Sequence, residues 1–136
     1  MKTPMVLNED TLANLSANIG PDGVAEVLHM HVRESANDVA ALERACTLGD
    51  VQESMRLAHK IKGGSGAAGA EIMLLLASAI EALARVGELD LFRPIVPKLS
   101  RATHEMRADV LRYLESPRSR MVHRPRPSSF LTYSGR

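Results

Sequence analysis

The chain is poor in the residues that mark a sheet, a disulfide scaffold or a membrane span. Its 136 residues include one cysteine, no tryptophan, two phenylalanines and two tyrosines. A single cysteine excludes an internal disulfide framework. Cys46 lies among Leu42, Ala45 and Leu48, where it reads as a small core hydrophobe in a reducing compartment. No His or Asn constellation around it suggests a catalytic thiol. With so few aromatic and β-branched clusters, a sheet is not expected. The core must come from Leu, Ile, Val, Met and Ala, among which Leu, Met and Ala are strong helix formers. Met1 to Asp10 contains no apolar run of signal-peptide length, and no segment approaches the length of a membrane span. A cytoplasmic location and no membrane partner are therefore expected. The length suits one domain with one core.

Acidic residues are missing from the C-terminal end. All sixteen Asp and Glu precede Pro117, whereas five of the seventeen Lys and Arg (Arg118, Arg120, Arg124, Arg126 and Arg136) follow it. Residues 1–116 thus read as a mildly acidic globular domain. Residues 117–136 read as a basic tail whose Pro125, Pro127, Ser128 and Ser129 lack periodicity, as in a disordered segment. Phe130 and Tyr133 are its only aromatics, so it reads as a solvated end and not as a nucleic-acid-binding arm.

What is present is helical periodicity. Asn8 is placed to cap a short helix through Leu12, Leu15 and Ile19, closed by Gly20. After Pro21 and Asp22, a long helix is expected from about Gly23, with Val24, Val27, Leu28, His31, Ser35, Val39 and Leu42 on its inner face and Gly49 as its stop. Asp50 and Glu53 resemble a capping box for the next helix, whose inner stripe is Val51, Met55, Ala58, Ile61 and Ser65. Glu71 opens a further helix with a stripe at Ile72, Leu76, Ala79, Leu83 and Val86, closed by Gly87. The last begins near Pro94 or Pro97 and carries Ile95, Leu99, Ala102, Met106, Val110 and Tyr113 up to Pro117. Four substantial helices with short connections predict an all-α, up-and-down antiparallel four-helix bundle with a short N-terminal helix.

One segment breaks the pattern. Ala58 to Ala70, AHKIKGGSGAAGA, places Gly63, Gly64, Gly66 and Gly69 where a helix should continue. Each interior glycine costs about 0.5–1 kcal/mol relative to alanine. One reading is that the helix ends at Lys62. A phosphate-binding loop is a second, but the segment lacks the GxxxxGK pattern and no strand precedes it. A third is steric clearance. If the helix continues, His59, Lys62, Gly63 and Gly66 share one face at i, i+3, i+4 and i+7. That face presents an imidazole, a cation one turn on, and no bulk beyond, so another protein's backbone can approach closely. The remaining histidines carry little signal: His29 and His31 face differently, and His104 and His123 have no evident partners. No metal-ligand spacing is apparent.

This segment resembles the core motif of the histidine-containing phosphotransfer (HPt) family: a His, a Lys three on, a Gly four on, and a Gly-Ala after a run of small residues. Here these are His59, Lys62, Gly63, Gly69 and Ala70, and the resemblance covers about Asn8 to Glu115. It implies that His59 accepts a phosphoryl group, that Lys62 neutralises it, and that Gly63, Gly66 and Gly69 clear a docking surface. On the following helix it implies a Glu or Gln that orients the imidazole, with a basic residue one turn further on. Glu81 and Arg85 fit those positions, although an ordinary surface ion pair would show the same i, i+4 spacing. His31 stands where many relatives carry Phe.

The implied activity is that of a phosphorelay carrier taking a phosphoryl group from a receiver-domain aspartate and passing it to another receiver. The implied partners are the receiver domains of hybrid histidine kinases and response regulators. No cofactor is expected on this chain, Mg²⁺ belonging to the receiver, and a monomer is expected. Nothing resembles an ATP-binding or autokinase site. Lys60 stands directly after His59, where kinase dimerisation helices usually carry an acid. The competing reading is a helical interaction module that binds receivers without accepting phosphate.

Overall fold

The computed structural model describes residues 7–120. The chain order is α1 (Glu9–Thr47), α2 (Val51–Ala68), α3 (Glu71–Arg85), a single turn α4 (Leu89–Phe92), α5 (Ile95–Glu115) and a 3₁₀ turn (Pro117–Arg120). The predicted all-α bundle is present. α1 packs on α2 and α5, and α3 completes the ring by packing on the same two helices.

The ends form where local chemistry places them. Asn8 accepts a hydrogen bond from the Thr11 amide at 3.0 Å, and Asp50 accepts one from the Glu53 amide at 3.0 Å, each satisfying an otherwise orphan donor. The predicted break at Gly20 occurs, since its backbone is not helical (φ 80°, ψ 168°). Pro21 starts the helix again at once, so the short and long helices run end to end within α1. α5 follows Pro94 and holds Pro97 in its first turn, where a missing N–H removes no helical bond. The extended Ser116 before Pro117 ends it.

α2 continues through Gly63, Gly64 and Gly66, which settles the choice between loop and helix. It closes only at Gly69, whose φ of 75° lies in the left-handed region. The Gly69 amide reaches the Gly66 carbonyl and the Ala70 amide the Ser65 carbonyl, the paired bonds of a Schellman end. The chain before α1 straps this turn. The Asn8 amide donates to the Gly69 carbonyl at 2.7 Å, Leu7 bridges to Ala70, and the Asn8 side-chain amide donates to Glu71 at 2.6 Å.

Leu28, Leu42, Ile61, Met73, Ile80, Leu99 and Met106 are sealed in the core. The predicted inner faces of the long helix and of α5 are largely reproduced, but the α3 stripe is corrected. Ile72 and Val86 are exposed, and Met73, Ala77, Ile80, Glu81 and Ala84 point inward. The helix is apolar at almost every position from Ile72 to Ala84, so periodicity admits phases one residue apart. α4, absent from the sequence reading, buries Phe92 completely at one end of the bundle. Cys46 is buried, as expected of a core hydrophobe.

The first four residues assigned to the tail form the 3₁₀ turn. Ser119 bonds back to the Leu114 carbonyl, and Arg118 pairs with Glu9 at the start of α1. The disorder expected of the remaining tail residues, 121–136, lies outside the described residues, as does His123. No helix among the described residues is long and apolar enough to cross a membrane.

Buried hydroxyls mostly bond within their own helix, as Ser35 does to the His31 carbonyl and Thr103 to the Leu99 carbonyl. Ser65 Oγ and one nitrogen of His31 have no such partner among the described residues, and of the two only His31 titrates near neutral pH. It is 6 % exposed, and its Nε2 has no hydrogen-bond partner among the described residues. Burial pushes its pKa below the ordinary 6.5, opposed weakly by Glu34. The unfolded chain takes up this proton near 6.5 and the folded chain resists it, so stability falls as pH drops below that value. Chemical denaturation at about pH 7 and about pH 5.5 should show a larger loss for the wild type than for His31→Phe. Equal losses would show that His31 is not held neutral.

Candidate functional site

The site assembles across the α2–α3 interface. His59 and Lys62 lie three residues apart on α2, one helical turn, and so project in similar directions. Glu81 and Arg85 lie one turn apart on α3. The fold brings all four together. The His59 ring is 70 % exposed, with its Nδ1 2.8 Å from Glu81 Oε2. Lys62 Nζ lies 2.8 Å from Glu81 Oε1, and Arg85 donates to Oε2 at 3.0 Å.

Glu81 is therefore a buried acid, and Arg85 is only one of its partners. It is 3 % exposed and receives three nitrogen partners on its two oxygens. The Lys62 hydrogen bond is the largest influence on its pKa. Burial raises it, but Lys62 and His59 together overcome burial and hold it down at about 2.

This fixes the chemistry of the imidazole. A carboxylate ionised at neutral pH can only accept hydrogen bonds, so Nδ1 must carry the hydrogen. In the neutral ring Nε2 is then bare, with its lone pair available. A ring exposed on one side and anchored on the other has the geometry that a nucleophile needs.

The glycines divide by role. A Cβ at Gly63 would meet nothing within 4 Å, and one at Gly66 only Leu74 at 3.9 Å. Both are exposed beyond His59 and leave the face open. Gly69 does not belong to that face. It is buried, and a Cβ there would lie 3.2–3.3 Å from Asn8 backbone atoms and the Thr11 side chain. The expectation that it clears a docking surface is corrected: it is the socket for the N-terminal strap. Gly64, unassigned from sequence, faces His31, whose Nδ1 would stand 3.3 Å from a Cβ.

Two pairings were not foreseen. Lys62 is bonded to Glu81, and Lys60 turns the other way to Asp38 of α1 at 3.2 Å. The available signal for Glu81 was an acid embedded in the apolar run of α3. No group of His, Cys, Asp and Glu side chains among the described residues could hold a metal ion.

The sequence pattern of the Hpt domain family matches residues 26–112. Among solved structures, the chain is similar to histidine-containing phosphotransfer protein B (HptB) from Pseudomonas aeruginosa PAO1. The identity is 26 %, covering 83 % of this chain and 97 % of that one, with a TM-score of 0.77. No curated protein sequence matches.

Two outcomes follow from this geometry. Gly63→Ala should stabilise the fold by about 0.5–1 kcal/mol, because the site is open and helical. Gly64→Ala should gain less because the His31 ring must move, and Gly69→Ala should cost more than about 1 kcal/mol for its left-handed backbone. Urea denaturation of the three variants checks the order, and an equal response would refute the division. The Glu81 contribution is fully present above its ordinary value of 4.5 and lost as pH falls toward about 2. Wild type should therefore lose stability across that window beyond the loss in Glu81→Gln. Parallel acid-denaturation curves would contradict the ionised, triply bonded carboxylate.

Proposed function

The chain belongs to the Hpt domain family, and on that footing we propose that it carries phosphoryl groups on His59 between receiver domains of a cytoplasmic phosphorelay. The observation that carries this reading is the Glu81–His59 bond, which leaves Nε2 bare on a face opened by Gly63 and Gly66.

In loading, the Nε2 lone pair attacks the phosphorus of a receiver's aspartyl phosphate. The N–P bond forms as the P–O bond breaks, and the aspartate leaves with its electron pair. Lys62 stands one turn from His59 and supplies positive charge to the phosphoryl oxygens, as a flexible point charge can. Arg85 adds positive charge beside Glu81. Such transfer depends on positioning and charge neutralisation, and the Mg²⁺ and remaining catalytic groups reside on the receiver. Transfer onward reverses these steps. The receivers are those of hybrid histidine kinases and response regulators, each docking on a monomer of this chain.

Incubation with a phosphorylated receiver should give acid-labile, alkali-stable label on the wild type and none on His59→Gln. The variant should stay folded, because the ring is exposed. Label persisting on His59→Gln would overturn the assignment. A wild type that binds the receiver without taking label would be an interaction module instead. Gly63→Leu should fold and slow transfer at least about tenfold, by collision with the docking partner; an unchanged rate would remove the clearance argument.

A further inference from the structure

We infer that Glu81, beyond setting the tautomer of the resting ring, holds the proton on Nδ1 after phosphorylation and thereby keeps the phosphoryl group transferable. This rests on the reading of His59 as the acceptor.

When Nε2 of a ring bearing Nδ1–H bonds to phosphorus, the ring becomes a cation that still carries that hydrogen. Two fates follow. The ring can keep the proton, facing the Glu81 carboxylate at the distance now seen for Nδ1 to Oε2, 2.8 Å. Or it can lose the proton, and a bare nitrogen would then face a carboxylate oxygen, acceptor against acceptor. An ionised carboxylate therefore favours the protonated ring.

The two forms differ as leaving groups. In onward transfer or hydrolysis the N–P bond breaks and its electron pair returns to Nε2. The protonated ring departs as neutral imidazole, with its hydrogen on Nδ1. The deprotonated ring would depart as imidazolate, a far stronger base and a poorer leaving group. Glu81 thus acts on the outward step as a positioning residue with an electrostatic effect.

The surrounding charges are consistent with this. From α2, Lys62 binds the far oxygen of Glu81, and Lys60 is turned to Asp38 on α1. From α3, Arg85 shares Oε2 with His59. If Lys62 moves to the phosphoryl oxygens, Glu81 loses its partner on Oε1, and the remaining negative charge falls more heavily on the bond to Nδ1. The cation is then redistributed with no loss of the proton.

The test loads the full chain with phosphoramidate as a small-molecule donor. It then follows N–P cleavage by ³¹P NMR and ring protonation by ¹⁵N NMR, from mildly acid to alkaline pH. In the wild type the phosphorylated ring should keep its proton to a higher pH than free phosphohistidine does. In Glu81→Gln, whose amide oxygen can still orient the ring but carries no charge, that midpoint should drop by about one pH unit, slowing alkaline cleavage about tenfold. Glu81→Ala should behave like Glu81→Gln in this respect. If Glu81→Gln matches the wild type, the residue only orients the ring and the inference is wrong. A wild-type midpoint equal to that of free phosphohistidine overturns it too, without recourse to any variant. Failure of His59 itself to take the phosphoryl group, with the label absent or on another residue, would instead overturn the acceptor reading and this inference with it.

Discussion

Burying a carboxylate in an apolar bundle is tolerable only when opposite charge and hydrogen bonds replace the water it loses. Glu81 meets that condition through His59 and Lys62 from α2 and Arg85 from its own helix. The requirement sets the rotation of α2 against α3, because two side chains one turn apart must both reach the same pair of oxygens. It also decides which imidazole nitrogen carries hydrogen. Packing, tautomer and local charge at the site all depend on this one group, and removing any partner alters the other two.

The helix that supplies His59 and Lys62 is intrinsically weak, with three glycines in its interior. Its ends compensate. Asp50 caps the start, Gly69 closes the finish with paired backbone bonds, and the segment before α1 pins that finish through Asn8. Propagation is inexpensive once both ends are fixed, so an open face can be kept without melting the helix. The bonds that fix its ends are made by backbone and by other residues, so the face at Gly63 and Gly66 stays bare of side chains.

The sequence exposed the bundle because most of its helices are amphipathic with punctuating Asn, Asp, Gly and Pro residues. It exposed the candidate site because His59, Lys62, Gly63 and Gly66 are spaced for one helical face. It was ambiguous where that contrast disappears. α3 is apolar nearly all round, so its phase could not be read, and with the phase went the depth of Glu81. The single turn holding Phe92 is too short to show a period. The glycine run looked uniform, yet its members answer to different neighbours: open space at Gly63, His31 at Gly64, the Asn8 strap at Gly69. Such contacts join residues distant in sequence, and no local pattern encodes them.

Where Gly64 meets His31, the two positions are sterically coupled. The imidazole edge stands 3.3 Å from where a methyl group on α2 would sit. A methyl group at position 64 asks the His31 ring to yield by a few tenths of an ångström, and a larger flat ring at position 31 would leave it less room still. At this point α1 and α2 share one gap, filled by a ring from the first helix and left empty by the second.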